Sequence, residues 1–398
     1  MYGTKKISGH IYYVGVNDRT TERFERLWSL RKGISYNSYL IVDEKVALVD
    51  TVDICYIETF LKKIDRVLKG RTIDYLIVNH MEPDHSSSIA AIKRLYPNMK
   101  IVGNAKTIAM IDGFYGITGD EMEVKEGDTL NLGHHNLNFV FAPMVHWPEV
   151  MMTYDSTDKV LFSADAFGCY GALDGGVIDE EMSIERYWPE MYRYYATIVG
   201  KYGSPVQKVL QKLSSYDFNY ICSLHGPVWK KHISEAVTIY DRLSRYEGVD
   251  GVVVAYGSMY GNTEEMAEEI ATALAENGIK KIVMHNMSKS DISEVLGDVF
   301  KYKGLIIGSP TYSNELFPEV KSLVDKIQTR DIKNRTFAYF GSYAWAGASV
   351  KILSAFAEKM KWEVVEPASV EMKQGMKEDT LQKCYELGKA MAEKLKQS

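Results

Sequence analysis

Two successive α/β domains are what this sequence predicts, and three observations carry that expectation. At 398 residues the chain is too long for one ordinary hydrophobic core. Short runs of β-branched and aromatic residues alternate with segments whose apolar residues recur at helical spacing. The pattern then changes at a polar, glycine-bearing joint, Arg245-Tyr-Glu-Gly-Val-Asp-Gly251, beyond which long apolar runs lead into loops of small residues. The boundary is placed there, giving segments 1–248 and 249–398.

Composition excludes several classes. Charged residues are 25% and hydrophobic residues 46% of the chain, as in ordinary globular proteins. A net charge of −6 offers no electrostatic footprint for nucleic acid. No apolar run reaches the length that spans a bilayer, and Met1-Tyr-Gly-Thr-Lys-Lys6 lacks the apolar core of a signal peptide. A cytoplasmic location with no membrane partner is therefore expected. Cys55, Cys169, Cys222 and Cys384 form no Cys-x-x-Cys pair, which speaks against a fused rubredoxin-like or iron–sulfur module and against a disulfide framework. Buried, reduced thiols are the expectation.

In the first segment Ile11–Val14 and Ser38–Val42 read as strands, and Val46–Asp50 follows the turn-like Asp43-Glu-Lys45. Ile57, Phe60, Leu61, Ile64 and Leu68 at helical spacing predict a helix over Tyr56–Leu68. The strand Ile73–Val78 then runs into Asn79-His-Met-Glu-Pro-Asp-His85. Pro83 lacks a backbone donor and biases Glu82 away from helical angles, so this run reads as a stiff loop. It is not the helical His-Glu-x-x-His of metalloproteases. Ser86-Ser-Ser88 is placed to cap a helix over Ile89–Tyr96.

His80, Glu82, Asp84 and His85 place imidazoles and carboxylates within six consecutive positions, ligand types that suit iron, manganese or zinc. The same device recurs. His146 follows the apolar run Phe139–Val145, Asp165 follows Leu161–Ala164, and His225 follows Tyr220–Leu224. One histidine after a strand is ordinarily a satisfied polar residue, but the whole set can converge on one sheet edge. His10, His134, His135, His232 and His285 have no comparable context and are assigned no role.

The spacing His80-x-Glu82-x-Asp84-His85, with His146, Asp165 and His225 following, resembles the metallo-β-lactamase fold, an αββα arrangement. Zinc hydrolases of that fold carry His-x-His-x-Asp-His; here Glu82 replaces the second histidine, which is the mark of the flavodiiron proteins. An anionic carboxylate hardens the site and adds negative charge, both of which favour iron that must reach the ferric state. The resemblance implies one iron held by His80, Glu82 and His146, another by Asp84, His85 and His225, and Asp165 as the bridge. It also implies a catalytic tyrosine, assigned to Tyr194 of the pair Tyr194-Tyr195. Trp147 and Pro148 beside His146 are placed to exclude water. Tyr170 lies in the Ala166–Gly176 stretch, which lacks the histidine some members carry after the bridging aspartate. Phe167 fits core packing better.

In the second segment Val252–Tyr256 reads as a buried strand, Gly257-Ser-Met-Tyr-Gly-Asn-Thr263 as a small-residue loop, and Glu264–Glu276 as an amphipathic helix. Strand, small loop and helix have the geometry of a phosphate cradle, in which loop N–H groups and the helix N-terminus face the anion, with a plain tight turn as the alternative. The loop has neither the Gly-Lys-Ser/Thr of triphosphatases nor Gly-x-Gly-x-x-Gly. Leu305–Phe317 is a strand running into a Gly-Ser-Pro-Thr turn, and Ala338–Gly347 is a strand running into a loop with two aromatics. Asp379–Lys396 reads as an ordinary covering helix.

The three loops resemble the flavin-mononucleotide loops of flavodoxins, whose doubly wound parallel sheet binds ligand at the carboxyl ends of its strands. By that resemblance Ser258, Met259, Tyr260, Gly261, Asn262 and Thr263 hold the phosphate. Pro310, Thr311, Tyr312 and Asn314 line the isoalloxazine ring, and Ser342, Tyr343, Ala344, Trp345, Ala346 and Gly347 close its other side. Both halves match in the family's order, so the resemblance implies FMN, two non-haem irons, and reduction of O2 to water, of NO to N2O, or of both. It implies an external donor, a rubredoxin-like protein or a reduced deazaflavin, and a head-to-tail homodimer or dimer of dimers. Two other readings compete: a zinc hydrolase with an appended flavodoxin domain, and an electron carrier with a dead metal domain. Glu82 speaks against the first and the intact ligand set against the second.

Overall fold

The computed structural model describes residues 3–397. The chain divides into two compact units, Met1–Asp241 and Arg242–Ser398, and the division falls inside the helix Ile233–Ser244.

The first unit is built on two sheets. The larger runs Lys5–Lys6, Ile11–Tyr13, Tyr39–Val42, Val46–Val49, Tyr75–Ile77, Lys100–Gly103 and Glu121–Glu123 from edge to edge. It is antiparallel up to Val46–Val49 and parallel from there onward. The other runs Thr129–Asn131, Asn136–Phe141, Met151–Asp155 and Val160–Phe162 as antiparallel neighbours, with Tyr220–Cys222 added in parallel. Every residue of Val46–Val49 and of Met151–Asp155 is buried, so both faces of these strands are covered. The sheets meet through Tyr39, whose ring centroid lies 5.3 Å from that of Phe162 and whose hydroxyl donates to the Ser223 carbonyl at 2.7 Å. On an outer face the helix Ile57–Leu68 buries Phe60, Ile64 and Leu68, three of the apolar positions that predict it.

Several local expectations need correction. The run after Tyr75–Ile77 is not loop throughout, because Pro83 opens a single helical turn, Pro83–Ser86. Its fixed φ suits the first helical position, while Glu82 before it stays extended at φ −58°, ψ 139°. Ser88 precedes the helix Ile89–Leu95 without capping it through its side chain, and its buried hydroxyl has no partner among the described residues. The strand before His146 ends at Phe141, so His146 belongs to the loop joining two antiparallel strands. Cys55 is exposed, whereas the other three cysteines are buried.

The second unit is a parallel sheet ordered Ile282–Asn286, Val249–Tyr256, Tyr302–Tyr312, Thr336–Tyr343 and Glu363–Lys373. That is the doubly wound order of flavodoxin-like folds. The helices Asn262–Glu276 and Glu378–Gln397 pack on one face, burying Met266, Ile270, Leu387 and Met391 against Val252 and Val254. They approach closely at Gly388, where a Cβ would stand 2.6 Å from the Ile270 carbonyl oxygen. The Gly-Ser-Pro-Thr segment is strand rather than turn. The chain reverses at Ser313 and Asn314, whose φ values of 51° and 60° make the two-residue hairpin joining Tyr302–Tyr312 to Glu315–Leu316.

Arg335 is buried at the base of this sheet, with Nε donating to the Val299 carbonyl, Nη2 to that of Phe300 and Nη1 to that of Tyr246, at 2.7–2.8 Å. Two of these carbonyls end the helix Ile292–Lys301. Truncation strands buried acceptors, so Arg335→Ala should cost at least about 3 kcal/mol. Urea denaturation of the purified protein measures this, and a loss below about 1 kcal/mol would mean that water replaces the guanidinium.

Candidate metal centre

The seven sequence-predicted ligands reach one place by separate routes. His80 lies just beyond Tyr75–Ile77, and the helical turn Pro83–Ser86 presents Asp84 and His85. His146, Asp165 and His225 come from three loops around the second sheet. They form two groups, His80 with Glu82, His146 and Asp165, and Asp84 with His85 and His225; within each group the ligand atoms lie within 4.8 Å of one another.

In the first group Glu82 Oε2 and Asp165 Oδ2 both stand 3.1 Å from His146 Nε2 and 3.3 Å from His80 Nε2. In the second, Asp84 Oδ2 stands 3.1 Å from His85 Nε2 and 3.3 Å from His225 Nε2, and the two Nε2 atoms are 3.0 Å apart. Asp165 turns its other oxygen this way, with Oδ1 at 3.4 and 3.6 Å from the same two nitrogens. One carboxylate thus serves both groups. None of the seven is more than 9% exposed.

Burial works against the charge on Asp165, yet His80, His146 and His85 hold its carboxyl well below its ordinary value. Burial likewise opposes charge on His80, but Asp165, Glu149 and Glu82 raise its pKa well above 6.5. Asp84 Oδ1 and Asp165 Oδ1 are buried with no hydrogen-bond partner among the described residues. Convergent imidazole nitrogens, crowded ionised carboxylates and orphaned oxygens fit a pair of cations. A set of nitrogen and oxygen ligands without thiolate suits non-haem iron.

Residues that the sequence did not mark aim these ligands. Glu149 Oε1 accepts from His80 Nδ1 and from the Met81 N–H, both at 2.9 Å, which leaves His80 Nε2 facing the centre. Asp50 Oδ1 accepts from the Asn79 and His80 N–H groups at 2.7 and 3.2 Å. His225 Nδ1 donates to the Ser35 carbonyl at 2.8 Å. The one available signal for Glu149 was a carboxylate inside the apolar run Val145-His-Trp-Pro-Glu-Val-Met151.

Tyr194 is fully buried, with its ring centroid 5.3 Å from that of His225 and its hydroxyl without a partner among the described residues. Burial first, then Asp165, Glu82 and Asp84, raise its pKa well above 10, so it remains a donor. It ends the helix Trp188–Tyr194, and a π-helical turn, Tyr195–Val199, follows. Trp147 sets its ring edge-on to His80 at 5.4 Å. Tyr170 packs on Tyr194 at 5.0 Å, with its hydroxyl 2.9 Å from Thr197 Oγ1. Phe167 packs on Tyr240 at 4.8 Å and belongs to the core. A cleft of about 550 Å³ reaches Glu82 and Asp84 between Phe24, Glu25, Tyr36 and Tyr56. There burial first, then Glu82, pushes the Glu25 carboxyl up to about 7.

In the second unit the three predicted loops converge at the carboxyl ends of the strands. Ser258 Oγ accepts from the Gly261 N–H at 3.2 Å, and Gly261, at φ 96°, opens the helix Asn262–Glu276. Buried Thr263 places Oγ1 2.9 Å from Ser342 Oγ, tying the first loop to the third. Thr311 Oγ1 accepts from the Ala348 and Ser349 N–H groups at 3.0 and 3.2 Å, tying the second loop to the third. Pro310 pairs in register with Ser342. Tyr343 is half-buried, while Asn262, Asn314, Ala344, Ala346 and Gly347 are exposed. Tyr260 and Trp345 are 89% and 88% exposed, and Met259 on the first loop and Tyr312 on the second are exposed as well. Large apolar side chains thus stand in solvent on all three loops.

Fold and site together define a β-lactamase-like metal domain joined to a flavodoxin domain. Family models agree: that of the ODP family beta lactamase matches residues 34–226, and that of flavodoxin matches residues 254–388. The chain is 31% identical to the nitric oxide reductase of Moorella thermoacetica over 98% of each chain. It superposes on rubredoxin oxygen:oxidoreductase from Desulfovibrio gigas with a TM-score of 0.94, at 27% identity and 99% coverage of each chain. The flavodiiron protein of Giardia intestinalis gives a TM-score of 0.94 and 27% identity over 99% of this chain and 97% of that one. The chain belongs to the flavodiiron protein family, and membership implies FMN and a non-haem diiron centre.

Glu149→Gln should weaken the metal grip of the His80 side by roughly 10- to 100-fold, because the orienting acceptor loses its charge. Iron release to a chelator measures this; release at the wild-type rate from both positions would remove Glu149 from that role.

Proposed function

We propose that the protein is an FMN- and diiron-dependent reductase of O2, NO or both, with residues 1–248 as the diiron domain and 249–398 as the FMN domain. The observation that carries this is Asp165, one carboxylate with an oxygen on each of two buried ligand groups. His80, Glu82 and His146 would hold one iron and Asp84, His85 and His225 the other. Ser258–Thr263, Pro310, Thr311, Tyr312, Asn314 and Ser342–Gly347 would hold FMN. When bound, the irons and the flavin supply the electrons that take O2 to water or couple a pair of NO molecules into N2O.

The chain's own residues do the rest. Glu149 and the Ser35 carbonyl fix the imidazoles His80 and His225 in the tautomers whose Nε2 faces inward. Tyr194 keeps its phenol proton in a buried position beside His225 and is placed to donate a hydrogen bond to a small substrate. Trp147, Phe24 and Tyr36 wall the imidazoles with rings and limit water. Glu82 disfavours the zinc hydrolase alternative, since it sets a carboxylate where those enzymes use imidazole.

The electron donor is proposed to be external, a rubredoxin-like protein or a reduced deazaflavin. The name of the Desulfovibrio relative pairs that protein with rubredoxin, and the cysteines of this chain form no Cys-x-x-Cys pair. A head-to-tail homodimer or dimer of dimers in the cytoplasm completes the reading. Among the described residues no helix is long and apolar enough to cross a membrane.

Anaerobic reduction followed by rapid mixing with O2, and separately with NO, decides which gas reoxidises the protein faster. Zinc at full occupancy with no iron would sink the proposal. Asp165→Ala should lower turnover of either gas by at least about 1000-fold (~4 kcal/mol) while FMN stays bound, and turnover near the wild-type rate would remove the bridge. Thr263→Pro should lose FMN and keep iron; flavin retained at wild-type stoichiometry would argue against the first loop.

A further inference from the structure

A second cluster of ligand-type side chains lies at the far end of the hairpin that carries His146. His135, Asp155 and Asp158 each offer one ligand atom, and these atoms lie within 4.8 Å of one another. His135 directly precedes the strand Asn136–Phe141, and Asp155 ends the strand Met151–Asp155. Leu137 pairs with Asp155 at this end and Phe141 with Met151 at the other. At a rise of about 3.4 Å per residue the two ends are on the order of 14 Å apart, so this cluster is separate from the diiron ligands.

His135 Nδ1 lies 2.9 Å from Asp155 Oδ2, the same separation as His80 Nδ1 from Glu149 Oε1. A carboxylate only accepts, so Nδ1 donates; against burial, Asp155 and Asp158 favour a proton on the ring, and a metal ion at Nε2 would take that proton's place. That Nε2 is buried and without a hydrogen-bond partner among the described residues, and so is Asp158 Oδ2. His135 itself is fully buried. Two orphaned ligand atoms on neighbouring side chains, one aimed by a carboxylate behind it, form the carboxylate–imidazole–metal pattern.

Two more imidazoles stand around it. The ring centroid of His135 is 5.5 Å from that of His10 and 5.2 Å from that of His134, and those two are 5.9 Å apart. In the diiron ligand set, imidazoles assigned to one metal are 5.1 Å apart for His80 and His146 and 4.6 Å for His85 and His225. The spacing around His135 is close to theirs. His10 and His134 are exposed and Asp158 is half-buried, so an ion has a route in from solvent.

We propose that His135 and Asp158 bind a single divalent transition-metal ion of the zinc type, toward which the exposed rings of His10 and His134, outside the 4.8 Å cluster, turn to complete its shell. Asp155 is a positioning residue that fixes the His135 tautomer. The chemistry is a compact set of nitrogen and oxygen ligands, which Zn2+ and Co2+ both accept. Such an ion would pin together three turns, those at Ser8–His10, His134–His135 and Asp155–Asp158.

The test uses the holoprotein, with FMN and iron in place, dialysed against Co2+ as a visible probe and separately against Zn2+. The wild type should take up one Co2+ per chain without losing iron, show a visible cobalt band, and unfold at a higher temperature in Zn2+. His135→Gln and Asp158→Asn should each weaken Co2+ at least tenfold and abolish the Zn2+-dependent rise in Tm, with iron and FMN at wild-type levels. Should His135→Gln fail to fold, Asp158→Asn and the surface variant His10→Ala still decide the matter, both weakening Co2+. No uptake of Co2+ beyond displacement of iron, or Co2+ held equally well by Asp158→Asn, overturns the proposal and leaves His135 as a buried imidazole paired with Asp155.

Discussion

Three buried carboxylates, Glu82, Asp84 and Asp165, are set against four buried imidazoles, and this is the constraint on which the first unit depends. Burying a charge is costly unless it is paired. The imidazoles can meet that need by taking up protons, and the raised pKa values of His80 and His146 express it. Protonation, however, sets imidazolium charges side by side, with the ring centroids of His80 and His146 only 5.1 Å apart. Two divalent cations remove that conflict, since each accepts the inward lone pairs and balances the carboxylates at once. Metal loading is therefore part of the fold's electrostatics as well as its chemistry.

Holding such a set requires backbone that ordinary loops do not adopt. Asp50, Met144, Ala164 and Phe167, none of them glycine, have φ between 50° and 65°. Each lies behind or next to a ligand: Asp50 under His80, Met144 before His146, and Ala164 and Phe167 on either side of Asp165. Left-handed residues of this kind persist where surrounding structure over-determines them. Here the surroundings are strands buried on both faces, Val46–Val49 and Met151–Asp155. The rigid sheet pair makes the strained loops tolerable, and the loops place side chains to within hydrogen-bonding distance of common points.

That His80, Glu82, Asp84, His85, His146, Asp165 and His225 come together was legible in the sequence because metal chemistry limits ligand types and because their spacing resembles that of a known family. The doubly wound sheet was legible because alternation of apolar runs with amphipathic helices survives in one dimension. What was not legible depends on contacts distant in sequence. Glu149 acts on His80 across 69 residues and has no spacing rule. His135, without context in the chain, acquires Asp155 and Asp158 only when Asn136–Phe141 pairs with Met151–Asp155. Pro83 misled in the other direction: it forbids helix to the residue before it, yet its own φ starts one. The Gly-Ser-Pro-Thr segment read as a turn from composition, while pairing of Pro310 with Ser342 kept it in the sheet.

The two units solve opposite problems with the same α/β materials. The metal centre must keep water from its imidazoles, and Trp147, Phe24 and Tyr194 set their rings against His80 and His225, while a cleft reaches Glu82 and Asp84. The loops proposed to hold FMN do the reverse, leaving Tyr260 and Trp345 almost wholly in solvent. Exposed aromatic surface is unfavourable unless something covers it, and a planar, partly apolar ring system is a suitable cover. The hydroxyls that face inward there, Thr263, Ser342 and Thr311, bond to one another and to loop N–H groups, so the loops hold their shape through their own contacts. On the proposed function, a carrier that meets an outside donor gains from an open edge, and a centre that handles a small diatomic gains from a narrow one. The distribution of exposed and buried aromatics follows that division.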